Sequence, residues 1–262
     1  MAKLALYMPL MLILWLVPLT AEIKAQDAVS DTLTLAQAAA ARFAAGEYAG
    51  AAQLYNLLIE SGVHDAAVFY NAGTAYAMAG DLGRAMLHYR AAQARSPRDA
   101  ELADQVTQLR ARRVDLLGEE VILTDSLATV TAQLLTYREL LWAVWGLWLM
   151  LWTALIVAIA GGGRWRALLK TIMIAALAGL VLFSGLLINR AYVEANRPAA
   201  VMIAAAAPVY SGPGETYLEI YRMHAAAEVR VLETRGEWVR FIRPDARQGW
   251  IKQSALALVN SM

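Results

Sequence analysis

The sequence predicts a multidomain membrane protein: an all-α repeat domain, a two-helix transmembrane hairpin and a small all-β barrel, in that order. Three observations predict it. The N-terminal third repeats itself with a period of 34 residues, the middle holds two long stretches without a charge, and after Pro198 the apolar spacing switches to two. Composition agrees, because 59% hydrophobic residues, 17% charged residues and a mean hydropathy of +0.44 exceed what soluble domains alone carry.

The same bulk figures exclude several function classes. A net charge of +1, with no run of Lys or Arg, gives no electrostatic footprint for nucleic acid. Zero cysteines exclude disulfides, a thiol nucleophile and thiolate metal ligands. At the N-terminus Lys3 leads an apolar stretch from Leu4 to Val17, followed by small Ala21 and Ala25, so residues 1–25 read as a secretory signal. Leu19 and Ile23 stand where a small residue is preferred before the cut, and an uncleaved anchor is the other reading. Both versions export the chain beyond residue 25.

Residues 31–112 carry the repeats. Leu35 and Phe69, Gly46 and Gly80, Glu47 and Asp81, Ala51 and Ala85, and Tyr55 and Tyr89 are each 34 apart. Gly at the turn accepts a backbone bend, the small alanines let two helices approach, and the tyrosines fill the space between repeats. The second copy, Phe69-Tyr70-Asn71-Ala72-Gly73-Thr74-Ala75-Tyr76 through Gly80-Asp81-Leu82 to Pro97, resembles the tetratricopeptide consensus, while the first departs at Arg42. Ser96-Pro97-Arg98-Asp99 then predicts an N-cap and a further helix with one apolar stripe, Leu102, Val106 and Leu109, which caps the array. A repeat of this kind exposes its first helices to a groove, so Phe43, Tyr70, Asn71, Thr74 and Met78 are the candidate peptide-binding residues. The alternative for each aromatic is internal packing. Residues 113–138 form a linker, in which Asp125-Ser126 caps a short helix lying on the membrane surface.

Leu140 to Gly163 and Thr171 to Asn189 contain no charged residue, and roughly 20 such residues span the hydrocarbon. Residues 140–161 and 170–189 are therefore the expected transmembrane helices. The connection, residues 162–169 with Lys170 beside it, holds Arg164 and Arg166 and no acid, which places it in the cytoplasm and both flanking regions on the opposite side. Trp142, Trp145, Trp148 and Trp152 share one face of the first helix. They read as an interfacial anchor and packing face, or as a partner stripe. Ala175 and Gly179 form a small-xxx-small pair for close helix approach.

Residues 199–259 read as the barrel. Val229, Val231, Val239, Phe241 and Ile251 alternate, and Arg235-Gly236 supplies a hairpin turn. Val209 to Tyr217 around Ser211-Gly212-Pro213-Gly214, then Glu228-Val229-Arg230-Val231, Glu237-Trp238-Val239 and Gly249-Trp250-Ile251 resemble the bacterial SH3 domain, departing at Ala225 and Ala226 where a turn glycine is common. Ser211-Gly212-Pro213-Gly214 permits a tight turn, because Pro213 fixes one dihedral and Gly214 accepts the positive one that follows. Tyr210, Tyr217, Trp238 and Trp250 are the candidate surface, the alternative for the two tryptophans being core or edge packing, and the resemblance implies either cell-wall peptide or protein binding.

No convergent catalytic or metal set stands out: His64, His88 and His224 are scattered, Gly161 to Gly163 lack a phosphate-loop context, and Glu119-Glu120 sit in the linker. The expectation is a protein that is not an enzyme and has no cofactor. Taken in order, the modules resemble BatE-type proteins of bacterial aerotolerance. That resemblance implies an inner-membrane scaffold with both soluble domains periplasmic, working beside von Willebrand factor A-domain membrane proteins and a MoxR-type ATPase. The other class is a peptidoglycan-binding sensor or anchor.

Overall fold

The computed structural model describes residues 18–115, 126–160 and 165–259. The start of the expected signal, Asp125 of the expected cap, Glu119-Glu120, and Gly161 to Arg164 of the connecting loop lie outside them. Met1–His64 and Asp65–Met262 are two compact units.

The first unit contains α1 (Pro18–Ala44) and α2 (Tyr48–Glu60). α1 is rich in alanine, so little side-chain entropy opposes the helix, and α2 buries small Ala51 and Ala52, which lets two backbones approach closely. Between them Gly46 takes φ +79, and its N–H reaches the Phe43 carbonyl at 3.0 Å, which ends α1 with a left-handed residue. Ala51, Ala52, Tyr55, Leu58 and Ile59 form the buried stripe of α2. α1 runs unbroken from Pro18, well upstream of residue 31.

The second unit begins with a similar hairpin, α3 (Ala66–Met78) and α4 (Leu82–Arg95). Asp65 and Asp81 cap the two helices through their side chains, and Gly80 turns at φ +86, 34 residues after Gly46. Close approach of these helices needs glycine at 73, where an added Cβ would lie 2.6 Å from the Tyr89 ring. α5 (Ala100–Arg112) buries Leu102, Val106 and Leu109 against this pair. Its cap is Asp99, which accepts from the Glu101 and Leu102 amides at 3.0 and 3.2 Å, and not Ser96. The expectation placed the start one turn early because Pro97 is also compatible with the residues before a helix.

Then come α6 (Ser126–Leu134), α7 (Tyr137–Ala160) and α8 (Arg166–Asn196). The last two are the long apolar helices, with mean hydropathy of 2.0 and 2.5 in their most apolar windows. They pack on each other, with Gly179 facing Leu147. Ala176 is buried, whereas Ala175 of the expected pair is exposed. α8 also continues past Asn189 to Asn196. Trp145, Trp148 and Trp152 stack edge to face along α7, and Trp142 remains 71% exposed.

Seven antiparallel strands follow among the described residues: β1 (Ala199–Met202), β2 (Ala206–Tyr210), β3 (Glu219–His224), β4 (Glu228–Arg235), β5 (Trp238–Ile242), β6 (Gln248–Lys252) and β7 (Leu256–Leu258). Their order is β3-β2-β6-β5-β4-β1-β7. Val209, Met223, Val229, Val231, Val239, Phe241 and Ile251 meet in one core, so the sheet curls around a single apolar centre. The β4–β5 hairpin turns at Gly236-Glu237, one residue later than expected, with Gly236 at φ +58. Ala226 holds the left-handed conformation itself, at φ +66, and its amide donates to the Met202 carbonyl at 3.0 Å. The turn is thus made by an alanine in a conformation that favours glycine.

Within this unit the sheet docks on α4 and α5. An added Cβ at Gly83 would lie 2.7 Å from the Met202 carbonyl, so only glycine lets α4 touch the end of β1. One helical turn and two turns along the same face come buried Leu87 and then Arg90. At the centre, the Glu228 side chain, 14% exposed, accepts both Nε and Nη2 of Arg110 at 2.7 and 3.0 Å, with Arg90 at 3.1 Å and Arg113 at 3.5 Å. Burial alone would push this carboxyl up, but the three guanidiniums outweigh it and hold it below the usual carboxylate range. Beyond α5, Asp115 accepts from the His224 amide at 2.7 Å and lies 2.9 Å from His224 Nδ1.

Candidate functional site

The register of the sheet builds a surface that the core residues do not use. Side chains alternate between faces, and directly paired residues share one face. Val209, Val239, Phe241 and Ile251 point inward, so Tyr210, Trp238, Arg240, Trp250 and Lys252 point outward. Tyr210 pairs with Trp250, Trp250 with Arg240, and Trp238 with Lys252. The result is a continuous aromatic face across β2, β6 and β5.

Its geometry is fixed by ring and cation contacts. Tyr210 meets Trp238 edge to face, with centroids 5.4 Å apart at 85°. The Arg235 guanidinium lies 5.4 Å from the Trp250 ring centre, and the Lys252 ammonium 5.9 Å from that of Trp238. Trp250 is only 6% exposed. It forms the floor of the face, covered by its neighbours, and a ligand would meet Tyr210, Trp238 and the two cations first. Glu215 forms an ion pair with Lys252, and the contact moves the carboxyl down and the ammonium up.

Tyr217 is half exposed and sits on the β2–β3 connection. Its ring explains both glycines of Ser211-Gly212-Pro213-Gly214: a Cβ at Gly212 would lie 2.4 Å from it, and one at Gly214 3.3 Å. Neither glycine has positive φ. The expected backbone role is thus replaced by a steric one, making room for an aromatic ring.

On the helices, the candidate groove residues divide. Tyr70 donates its hydroxyl to Glu101 at 2.7 Å and packs 5.8 Å from the Tyr89 ring; burial, with Glu101 adding to it, pushes its phenol up to about 12. Thr74 Oγ1 donates to the Tyr70 carbonyl at 3.0 Å and shares a hydrogen bond with Tyr89. These two residues knit α3 to α4 and α5. Asn71 and Met78 instead stand exposed on α3. Phe43 belongs to the first unit, half buried and 5.2 Å from Tyr48.

Sequence reasoning missed Arg235, Arg240, Lys252 and Glu215 as parts of the aromatic face. The signal was present for Lys252, two residues after Trp250 on the same strand. Among the described residues no three His, Cys, Asp or Glu side chains converge as a metal site.

A family model for the bacterial SH3 domain matches residues 204–257. This segment runs from two residues before β2 into β7 and contains the whole aromatic face. β1 lies outside the match and fills the place between β4 and β7. No curated protein sequence matches the chain. The C-terminal module is therefore a bacterial SH3 domain, preceded by a helical region and two apolar helices long enough to cross a membrane.

Proposed function

We propose that the protein is a non-enzymatic inner-membrane scaffold that presents two binding modules in the periplasm. In this reading α1 to α5 are two tetratricopeptide repeats with a cap, α7 and α8 cross the bilayer as a hairpin, and the SH3 domain lies on the side where the repeats began. The observation that carries it is the Glu228 cluster, which joins helices that precede the two apolar segments to a strand that comes after them. Two crossings return a chain to its starting side, and direct contact of the flanking modules needs that return. Arg164, Arg166 and Lys170 in the connection support a cytoplasmic turn. The exposed apolar faces of α7 and α8 support burial in lipid.

The order of modules favours membership of a Bat-type complex, with von Willebrand factor A-domain membrane proteins as partners of the repeat groove, alongside a MoxR-type ATPase in oxidative-stress tolerance or envelope assembly. A second reading is favoured by the face of Tyr210, Trp238 and Trp250: apolar rings with flanking cations suit a glycopeptide, making the protein a peptidoglycan-binding sensor or anchor.

Affinity purification of the full-length protein in mild detergent, paired with co-sedimentation on purified sacculi, separates the two. Von Willebrand-type chains that co-purify, and are lost on Asn71→Ala with Met78→Ala, support the scaffold. Sacculus binding abolished by Trp238→Ala, without such chains, replaces it with the wall-binding reading.

A further inference from the structure

Where α4, α6, α8 and the SH3 sheet converge, they enclose a cleft of about 100 Å3. Its lining includes three arginines, Arg90, Arg190 and Arg230, and one carboxylate, Glu194, which pairs with Arg190, while Arg90 pairs with Glu228 behind the lining. Val193 and Val259 contribute an apolar wall. The volume suits a phosphate group and little more, so a larger ligand would leave the cleft through its open side.

The arginines come from three different elements and two are held rigidly. Arg190 is buried, with Nε on Glu194 at 2.9 Å and Nη1 on the Leu135 carbonyl at 2.8 Å, which ties α8 to the end of α6. Arg90 is oriented by Glu228 and by Gln93, another lining residue. Arg230 reaches the cleft from β4, with Nη1 on the Arg197 carbonyl at 3.2 Å. A planar guanidinium fixed in this way is prearranged for phosphate oxygens.

The place of the cleft along the chain also favours an anion at a membrane surface. Arg190 is the first charged residue after the uncharged stretch 171–189, and Val193 and Glu194 come within about one turn of it. On the reading that α7 and α8 cross a bilayer, on which this inference rests, the cleft lies at the depth of lipid headgroups. α6 runs alongside with Val130 and Leu134 exposed, as a helix bedded in that interface would be.

We infer that this cleft binds the phosphate of an anionic phospholipid headgroup, clamping the helical region and the SH3 domain to the membrane surface. The shared chemistry with free phosphate sets the arms of the test. Native mass spectrometry of the full-length protein in detergent, with phosphatidylglycerol, phosphatidylcholine or inorganic phosphate added, should show retained phosphatidylglycerol in preference to the zwitterionic lipid. Arg230→Gln should weaken that retention about fivefold, the effect of one arginine at an anionic surface. Arg230→Lys should restore most of it, and Arg247→Gln, remote from the lining, should leave it unchanged.

Equal retention of both lipids, or loss in Arg247→Gln equal to that in Arg230→Gln, overturns the inference. Displacement of phosphatidylglycerol by millimolar inorganic phosphate overturns the lipid source in favour of a soluble anion. Carbonate extraction of native membranes keeps the two failures apart. Release of the protein would overturn the bilayer reading itself, whereas lipid indifference in a protein that resists carbonate overturns the cleft alone.

Discussion

His88 shows how a single side chain can set the pH tolerance of a module. It is 1% exposed, stacked 5.2 Å from Tyr76 and 6.1 Å from Phe69, so its ring acts as core. Burial, with Arg84 adding to it and Asp81 opposing it, lowers its pKa from 6.5 to about 4. The folded state therefore holds a neutral ring, while an unfolded chain would take up a proton below pH 6.5. Stability is fully present above that pH and is lost as pH falls from 6.5 towards 4, by up to about 3 kcal/mol. Thermal unfolding in mild detergent should show this loss between pH 7 and 4.5, and His88→Leu should flatten it. An unchanged pH slope in the variant would show that carboxylates, not this ring, govern the response.

At the scale of elements, the energetic centre is the junction between α4, α5 and the sheet. Glu228 balances three arginines in a nearly dry site, and removing its charge leaves them to repel one another. Glu228→Gln should destabilise the docked unit by about 3 kcal/mol, seen as a lower unfolding midpoint and earlier proteolysis near residues 113–115. Replacing an exposed acid such as Glu219, which pairs with Arg222 at the surface, should have little effect. Glu228 was not legible in the sequence. It opens a strand in a polar position, where any solvated acid would look the same, and its partner Arg110 is 118 residues away.

Other elements were legible for physical reasons. The strand core followed from an apolar period of two, because one face of each strand must be buried, whereas the packing of Trp250 under its neighbours on the other face is set by cross-strand register. The helix bounds near Gly46 and Gly80 followed from the need for a left-handed residue after each first helix. Gly212 and Gly214 were misread, since sequence shows that glycine is present but not whether the cause is a dihedral or a neighbouring ring. At Ala226 the departure from glycine was legible but its consequence was not: a fully buried alanine takes φ +66, where local preference asks for glycine.

For the whole molecule, the organising fact is that residues before the apolar helices contact residues after them. Asp115 and His224, Arg110 and Glu228, and Gly83 and Met202 are three separate contacts across that interval. Together they hold the SH3 domain on the α4 side, where Gly83 and Arg90 lie, while Asn71 and Met78 stand exposed on α3. A partner could then meet the helices and the aromatic face as parts of one body. The absence of native cysteine makes the proposed topology directly measurable. Single cysteines placed at Asp104, Arg247 and Trp165 can be labelled in intact cells with a maleimide that crosses the outer but not the inner membrane. Labelling is expected at Asp104→Cys and Arg247→Cys, with Trp165→Cys protected until the inner membrane is broken. Protection of Arg247→Cys while Asp104→Cys reacts would place the two modules on opposite sides and contradict the proposed topology.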